Sequence, residues 1–273
     1  MNLEASLYTA LRDVLSQPTE AIQSRFTALF LHQLLEEASG PMNIVGPPYE
    51  FLGYPVGSQL LQVAKILTLW PAIGSFPVSF QPLQIFPTES TFTEVARCSA
   101  LTALVTATLA DLSKAKLEEL VLALGPRGFL TCLGVRETVG SVSDFSLPPY
   151  SLLESLFNYM HTSEEERIHP RSHSILTVGA RALTKHAHRS SEGFWGTVTG
   201  PEARKNEIAG ELLSRLATNC VWINMHQLPG NEPVLEIRTR EGYGARWAVA
   251  GNPGFRGFLE PHTQDGHEKR WRH

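Results

Sequence analysis

Apolar residues recur at helical spacing through most of the chain and switch to strict alternation near its end, which divides it into a helical part and a part that builds a sheet. The first helix is expected from Leu3 to Leu15, before Ser16-Gln17-Pro18. Ile22, Phe26, Phe30, Leu34 and Leu35 mark a second over about 20–38, closed by Gly40-Pro41. His32 in that helix reads as a surface residue rather than a ligand. Residues 41–58, with Gly-Pro-Pro at 46–48 and Gly-Tyr-Pro at 53–55, read as a long turn-rich connection. Gln59 to Trp70 is expected as a short helix ended by Pro71, and Phe76, Val78 and Phe80 alternate as a strand. The capping-box spacing Thr91-Phe-Thr-Glu94 predicts a helix to about Leu112, followed by another over Lys116–Leu124 before Gly125-Pro126. Phe129 to Val135 reads as a strand and Tyr150 to Met160 as a helix.

Ser163-Glu-Glu-Glu166 repeats the capping spacing, and His169-Pro-Arg171 interrupts the pattern, which puts a seam between a mainly helical region, 1–162, and an α+β region, 163–273. One domain containing both is the alternative. A helix is expected from His173 to Arg189 with Leu176, Ala180, Leu183 and Ala187 inward, so Arg181, Lys185 and His188 share a basic stripe. Thr199-Gly-Pro-Glu202 opens the next helix, whose apolar positions are Ile208, Leu212, Leu213 and Leu216. Between them, Gly193-Phe-Trp-Gly196 reads as buried hinge packing, with base stacking the lesser alternative.

Alternation is clearest from Val221 onward. Val221, Ile223 and Met225 face one side and Trp222, Asn224 and His226 the other; Leu235 and Ile237 oppose Glu236, Arg238 and Arg240. A third run, Gly244 to Val249, follows Glu241-Gly-Tyr, where glycine supplies the positive φ of a hairpin. A two-residue loop would set Ile237 against Arg246, mixing charge with apolar surface. A three-residue loop over Glu241–Tyr243 instead pairs Ile237 with Trp247, Leu235 with Val249 and Arg238 with Arg246, separating the two kinds of surface. The expected architecture is therefore α+β: a mostly helical N-terminal part, then helices packed on a small antiparallel sheet.

Composition adjusts this picture in two ways. The net charge of −4 over 273 residues argues against nucleic acid as a partner, since such proteins are usually basic. The charge is uneven, however: residues 1–160 hold 8 Lys/Arg against 14 Asp/Glu, and residues 161–273 hold 15 against 13, giving −6 and +2, with nine of ten histidines in the second part. The three cysteines, Cys98, Cys132 and Cys220, lie in apolar surroundings and read as reduced and buried. Met1 leads straight into an amphipathic pattern carrying Glu4 and Asp13, no signal peptide is expected, and no apolar run is long enough to span a bilayer. These features predict a cytoplasmic or nuclear protein with no membrane partner.

No nucleophile elbow, phosphate-binding glycine loop, dinucleotide fingerprint, HExxH or paired CxxC occurs. Glu260, His262, Asp265, His267 and Glu268 offer metal-type donors, but the Gly266 break argues against a shared face, and no metal site is assigned. The tail Lys269-Arg-Trp-Arg-His273 reads as a frayed terminus, or as an aromatic anchor through Trp271. Chemistry concentrates instead on the strand face. Arg238 opposite Arg246 needs an anion beside it, either Glu236 or a ligand phosphate or carboxylate. The resulting expectation is a binding protein whose C-terminal face takes an anionic small molecule or an acidic protein segment. Arg238, Arg246 and Arg256 would supply charge, Trp222 and His226 the edge, and Arg181 and Lys185 a flanking stripe. The rival readings are a hydrolase or transferase on a phosphorylated or carboxylated substrate, with His226 as general base and Glu236 orienting it, and a structural scaffold subunit. Neither a cofactor nor an oligomeric state is indicated.

Overall fold

The computed structural model describes residues 2–83, 89–160, 174–187, 193–228 and 230–261. The proposed seam at 162/163, His188, the 163–171 segment, the His262–Glu268 donors and the Lys269–His273 tail lie outside them.

The chain is α+β, as its periodicity predicts: ten described helices accompany a two-stranded and a four-stranded antiparallel sheet. Helix α1 (Leu3–Ser16) buries Leu7, Leu11, Val14 and Leu15 along one stripe. The single helix expected over 20–38 is instead two, α2 (Glu20–Arg25) and α3 (Ala28–Leu35). Phe26 is extended between them, and Thr27 restarts the helix by accepting a hydrogen bond from the Phe30 amide. His32 is exposed. The connection over 41–58 holds a short hairpin, β1 (Ile44–Val45) and β2 (Glu50–Phe51).

Helix α4 (Gln59–Ile73) runs past Pro71 and stops at Gly74, which takes the left-handed cap. Phe76, Val78 and Phe80 are buried as the alternation requires, but only a bridge from Ser79 to Glu50 forms there, and Pro77 has no amide hydrogen to donate to a ladder. The Thr91–Leu112 expectation resolves into α5 (Thr91–Ser99) and α6 (Thr102–Ala110). The capping box does not form: Thr91 donates to Glu89, and Glu94 pairs with Arg97. Helix α7 (Lys114–Cys132) kinks at Gly125, whose φ of 61° no other residue adopts readily, and Pro126 starts its second half. That half takes in most of Phe129–Val135, read above as a strand. A short, fully buried apolar run has no periodicity to distinguish the two.

Helices α8 (Tyr150–Asn158), α9 (Val178–His186) and α10 (Glu202–Asn219) lead into β3 (Cys220–Gln227), β4 (Pro233–Thr239), β5 (Gly244–Ala248) and β6 (Gly254–Leu259). The four strands form an antiparallel meander in chain order, in which β6 has no counterpart among the expected elements. All three helices pack on one face of it. Phe157 of α8 meets Phe255 and Phe258 edge-on at 4.9 and 6.0 Å, the Trp247 indole donates to the Leu153 carbonyl at 3.2 Å, and α10 leans on β4. Gly179 of α9 lets the helix sit against the Phe157 ring, where a Cβ would come within 2.2 Å.

Residues of both sequence halves contribute to one contiguous apolar cluster. Gly53 and Tyr54 donate to carbonyls of Cys220 and Ala217, and the Tyr54 hydroxyl to Pro148. The three cysteines are free and buried. Among the described residues no helix is long and apolar enough to cross a membrane.

Candidate functional site

With helices covering one face of the meander, the residues alternating to the other face are Trp222, Asn224 and His226 on β3, Val234, Glu236 and Arg238 on β4, and Arg246 on β5. Alternation had put all of these but Val234 on one side, though not in their register, and Arg240, expected beside them, falls in the turn beyond β4. Glu236, not Arg238, lies opposite Arg246, and Arg238 lies opposite Gly244. The loop is three residues long as expected, but it spans Arg240–Gly242 between Thr239 and Tyr243, so the pairing slides by two and keeps every residue on its predicted side. The slide replaces a facing pair of like charges with an ion pair, and the bare Gly244 makes room for the Arg238 stem.

Glu236 is the hub. It is fully buried, and each carboxylate oxygen is taken: Oε1 accepts from Arg238 Nε at 2.5 Å, Oε2 from Arg246 Nε at 2.9 Å and Nη2 at 2.7 Å. Burial pushes the Glu236 carboxyl up, but the charges and hydrogen bonds of Arg238 and Arg246 outweigh it and hold the group below the usual carboxylate range. Arg238 also donates to the carbonyls of Gly242 and Glu260 at 2.6 and 2.8 Å, which fixes it to the turn and to the end of β6. Arg246 keeps 26% of its side chain in contact with solvent. It is therefore the arginine of this pair that an incoming group can meet.

His226 borders the hub, Nε2 standing 3.9 Å from Glu236 Oε2, beyond hydrogen-bond distance, with 18% of the ring exposed. Burial lowers its pKa; Glu236 pulls it up, Arg246 and Arg238 push it down, and the net is below the ordinary value. A neutral, partly exposed imidazole beside a fixed guanidinium can accept a proton at neutral pH while positive charge is held nearby.

The remaining predicted residues are placed otherwise. Trp222 is on this face but buried, so it is no rim. Arg256 is exposed on β6 and pairs with Glu232 and the Asn252 carbonyl, apart from the hub. Arg181 and Lys185 belong to α9, which turns Gly179, Ala180 and Leu183 inward on the helical face of the sheet, so their stripe does not approach Arg238 and Arg246. Approach of this basic stripe to the strand arginines was the alternative to a solvated helix face, and a layer of apolar side chains separates the two.

Sequence alone joined neither of two further groups of residues. Asn224, fully buried directly across from Glu236, was placed on the right side by alternation but given no role. Its amide nitrogen donates to the Arg136 carbonyl and to Ser141 Oγ, both at 2.8 Å, from a loop about ninety positions away that no local pattern connects to β3. The second group lies past the end of β6: Glu260 Oε1 accepts from Trp195 Nε1 at 2.8 Å and stands 2.8 Å from His186 Nε2, while Phe194 stacks on Tyr243 at 3.9 Å. The Phe194-Trp195 pair is thus packed between α9 and the sheet, in keeping with the packing part of the expectation. Among the described residues no three His, Cys, Asp or Glu side chains gather as a metal site.

Residues 168–260 match the family model described as the CdiA C-terminal tRNase toxin domain. No curated protein matches the chain, and no solved structure does. The match covers about a third of the chain and contains α9, α10 and the whole meander. It overturns the expectation of a binding protein for an anionic ligand or an acidic protein segment, because the family it names is a nuclease acting on tRNA. The argument against nucleic acid fails with it. That argument used the charge of the entire chain, whereas the acidic excess belongs to residues 1–160 and the part containing the match is slightly basic. The nuclear placement has no support from it either.

Proposed function

We propose that the C-terminal part of the chain is a nuclease that cleaves tRNA, and that the polar face of the meander is its catalytic surface. The observation that carries this reading is that one matched segment contains the whole hub, Glu236, Arg238 and Arg246, together with His226 at its border.

RNA carries its own nucleophile. When a base removes the proton from a ribose 2′-hydroxyl, that oxygen attacks the adjacent phosphorus, the bond to the 5′-oxygen breaks as that oxygen takes up a proton from water, and the products are a 2′,3′-cyclic phosphate and a 5′-hydroxyl end. His226 is the base: its lowered pKa leaves it neutral near pH 7, and its ring is partly open to solvent. Arg246 faces the phosphate and stabilises the extra negative charge that develops on its oxygens; being already held by Glu236, it does not have to be reorganised during the reaction. Glu236 is fully buried and positions Arg246, rather than orienting His226 or touching substrate. Arg238 shares Glu236 and ties the hub to the Glu260 carbonyl.

The test offers the purified chain three substrates: tRNA, the same tRNA with 2′-O-methyl groups throughout, and DNA of the same sequence. The proposal expects fragments ending in cyclic phosphate from the first and intact second and third. Intact tRNA overturns the nuclease, and equal cleavage of DNA overturns the 2′-hydroxyl chemistry.

A further inference from the structure

The matched segment does not contain everything that shapes its polar face. Residues 135–142 run along the free edge of β3: Arg136 donates its amide to the Ile223 carbonyl at 2.7 Å, Val142 to Met225 at 2.9 Å, and Gln227 returns a bond to Gly140 at 3.1 Å. Val135 bridges Ile223 in parallel and Ser141 bridges His226 in antiparallel sense, so the chain reverses beside the strand. This loop belongs to the helical part of the chain, yet it meets β3 at the two residues closest to the hub, Asn224 and His226.

Asn224 shows what the loop contributes. Its amide nitrogen gives both hydrogens away, to the Arg136 carbonyl and to Ser141 Oγ. Its carbonyl oxygen is buried and has no hydrogen-bond partner among the described residues. The orientation of the amide therefore rests on those two bonds alone. Ser141 Oγ is itself held, accepting from the Thr138 amide at 2.9 Å and lying 3.3 Å from the Thr138 hydroxyl. Asn224 is the cross-strand neighbour of Glu236, and paired residues of this kind have Cβ atoms about 5 Å apart, within reach of one another's polar ends. Were the amide released, its amino group would turn to Glu236 Oε2 and compete with Arg246 for it.

We propose that Ser141, outside the matched segment, is a positioning residue of the nuclease site: by anchoring the Asn224 amide it reserves both oxygens of Glu236 for the arginines and so holds Arg246 in place. The inference rests on the nuclease reading. It also assigns the helical part of the chain a share in the catalytic surface, as the edge that completes β3.

The test compares Ser141→Ala and Ser141→Thr in the full chain. Steady-state cleavage of tRNA is measured together with the titration of the His226 ring proton by NMR. Losing the anchor lowers kcat about tenfold, the size expected when a charge-stabilising group is displaced rather than removed. KM changes less than about twofold, since the substrate's other contacts remain. The His226 midpoint also moves, because the charges beside it have shifted. Threonine, which keeps the oxygen, restores both. A purely structural role would lower the melting temperature of the alanine variant and leave kcat per folded molecule unchanged, and that result overturns the proposal. If the unmodified chain leaves tRNA intact, the nuclease reading fails by itself, and the His226 titration alone decides: a midpoint that moves in Ser141→Ala and returns in Ser141→Thr upholds the positioning, and an unmoved one overturns it.

Discussion

Glu236 is the residue on which the site depends, because a fully buried carboxylate shared by two guanidiniums leaves both of them uncompensated when it is removed. Glu236→Gln is expected to cost about 3 kcal/mol of folding stability at pH 7, read from urea denaturation, as for other buried ion pairs that lose one partner. The pH dependence has a definite sign. A carboxyl whose pKa is depressed by folding stabilises the native state above its unfolded value of about 4.3, and that contribution disappears as the pH falls through the native value. The stability gap between the two proteins therefore shrinks below about pH 4. His226 imposes a second pH signature. With its pKa below the ordinary 6.5, kcat/KM for tRNA falls on acidification with a half-maximal point below pH 6.5. A half-maximal rate above pH 7 would remove His226 as the base. At this scale the sequence was partly readable. Alternation put His226, Glu236, Arg238 and Arg246 on one face, but it could not show that Glu236 satisfies both arginines, which is where the idea of an external anion came from.

Among elements, the β4–β5 hairpin decides the site, and its register shows why periodicity was insufficient. Any slide by two residues preserves the faces, so the polar and apolar pattern alone cannot distinguish Arg238 opposite Arg246 from Glu236 opposite Arg246. What distinguishes them is space: a Cβ at residue 244 would lie 2.1 Å from the Ile237 carbonyl oxygen and 2.8 Å from the Arg238 stem. Gly244→Ala is accordingly expected to destabilise the protein by about 2 kcal/mol or more in urea, a cost typical of forced overpacking, and to weaken tRNA cleavage through Arg238. Unchanged stability would show that the hairpin tolerates another register. Elsewhere, β6 was missed because Gly254 and Gly257 dilute its alternation, and the second half of α7 was misread because its burial is complete on all sides. The helices α1, α8 and α10, whose apolar stripe faces one way, were legible almost to their ends.

Over the whole molecule, the apolar cluster continuous between the halves predicts one cooperative unfolding transition. Far-ultraviolet circular dichroism, which reports mainly the helices, and tryptophan fluorescence, weighted toward the sheet, should give the same urea midpoint; two separated midpoints would contradict it. The long-range contacts behind that continuity, Gly53 with Cys220 and Arg136 with Ile223, connect residues with no shared local pattern and were invisible in the sequence for that reason. Net charge misled at the same scale, since averaging an acidic helical part with a slightly basic sheet part concealed the character of the portion that contains the family match. The central claim is that the polar face of the sheet cleaves tRNA, and it is tested most directly by comparing the unmodified chain with His226→Ala and Arg246→Gln on end-labelled tRNA, at concentrations matched for folded protein by circular dichroism. The account predicts cyclic-phosphate fragments from the unmodified chain and a loss of at least about a hundredfold in rate for each variant, in line with removing a general base or a charge-stabilising group. Cleavage at the unmodified rate by both variants would place the chemistry elsewhere in the molecule.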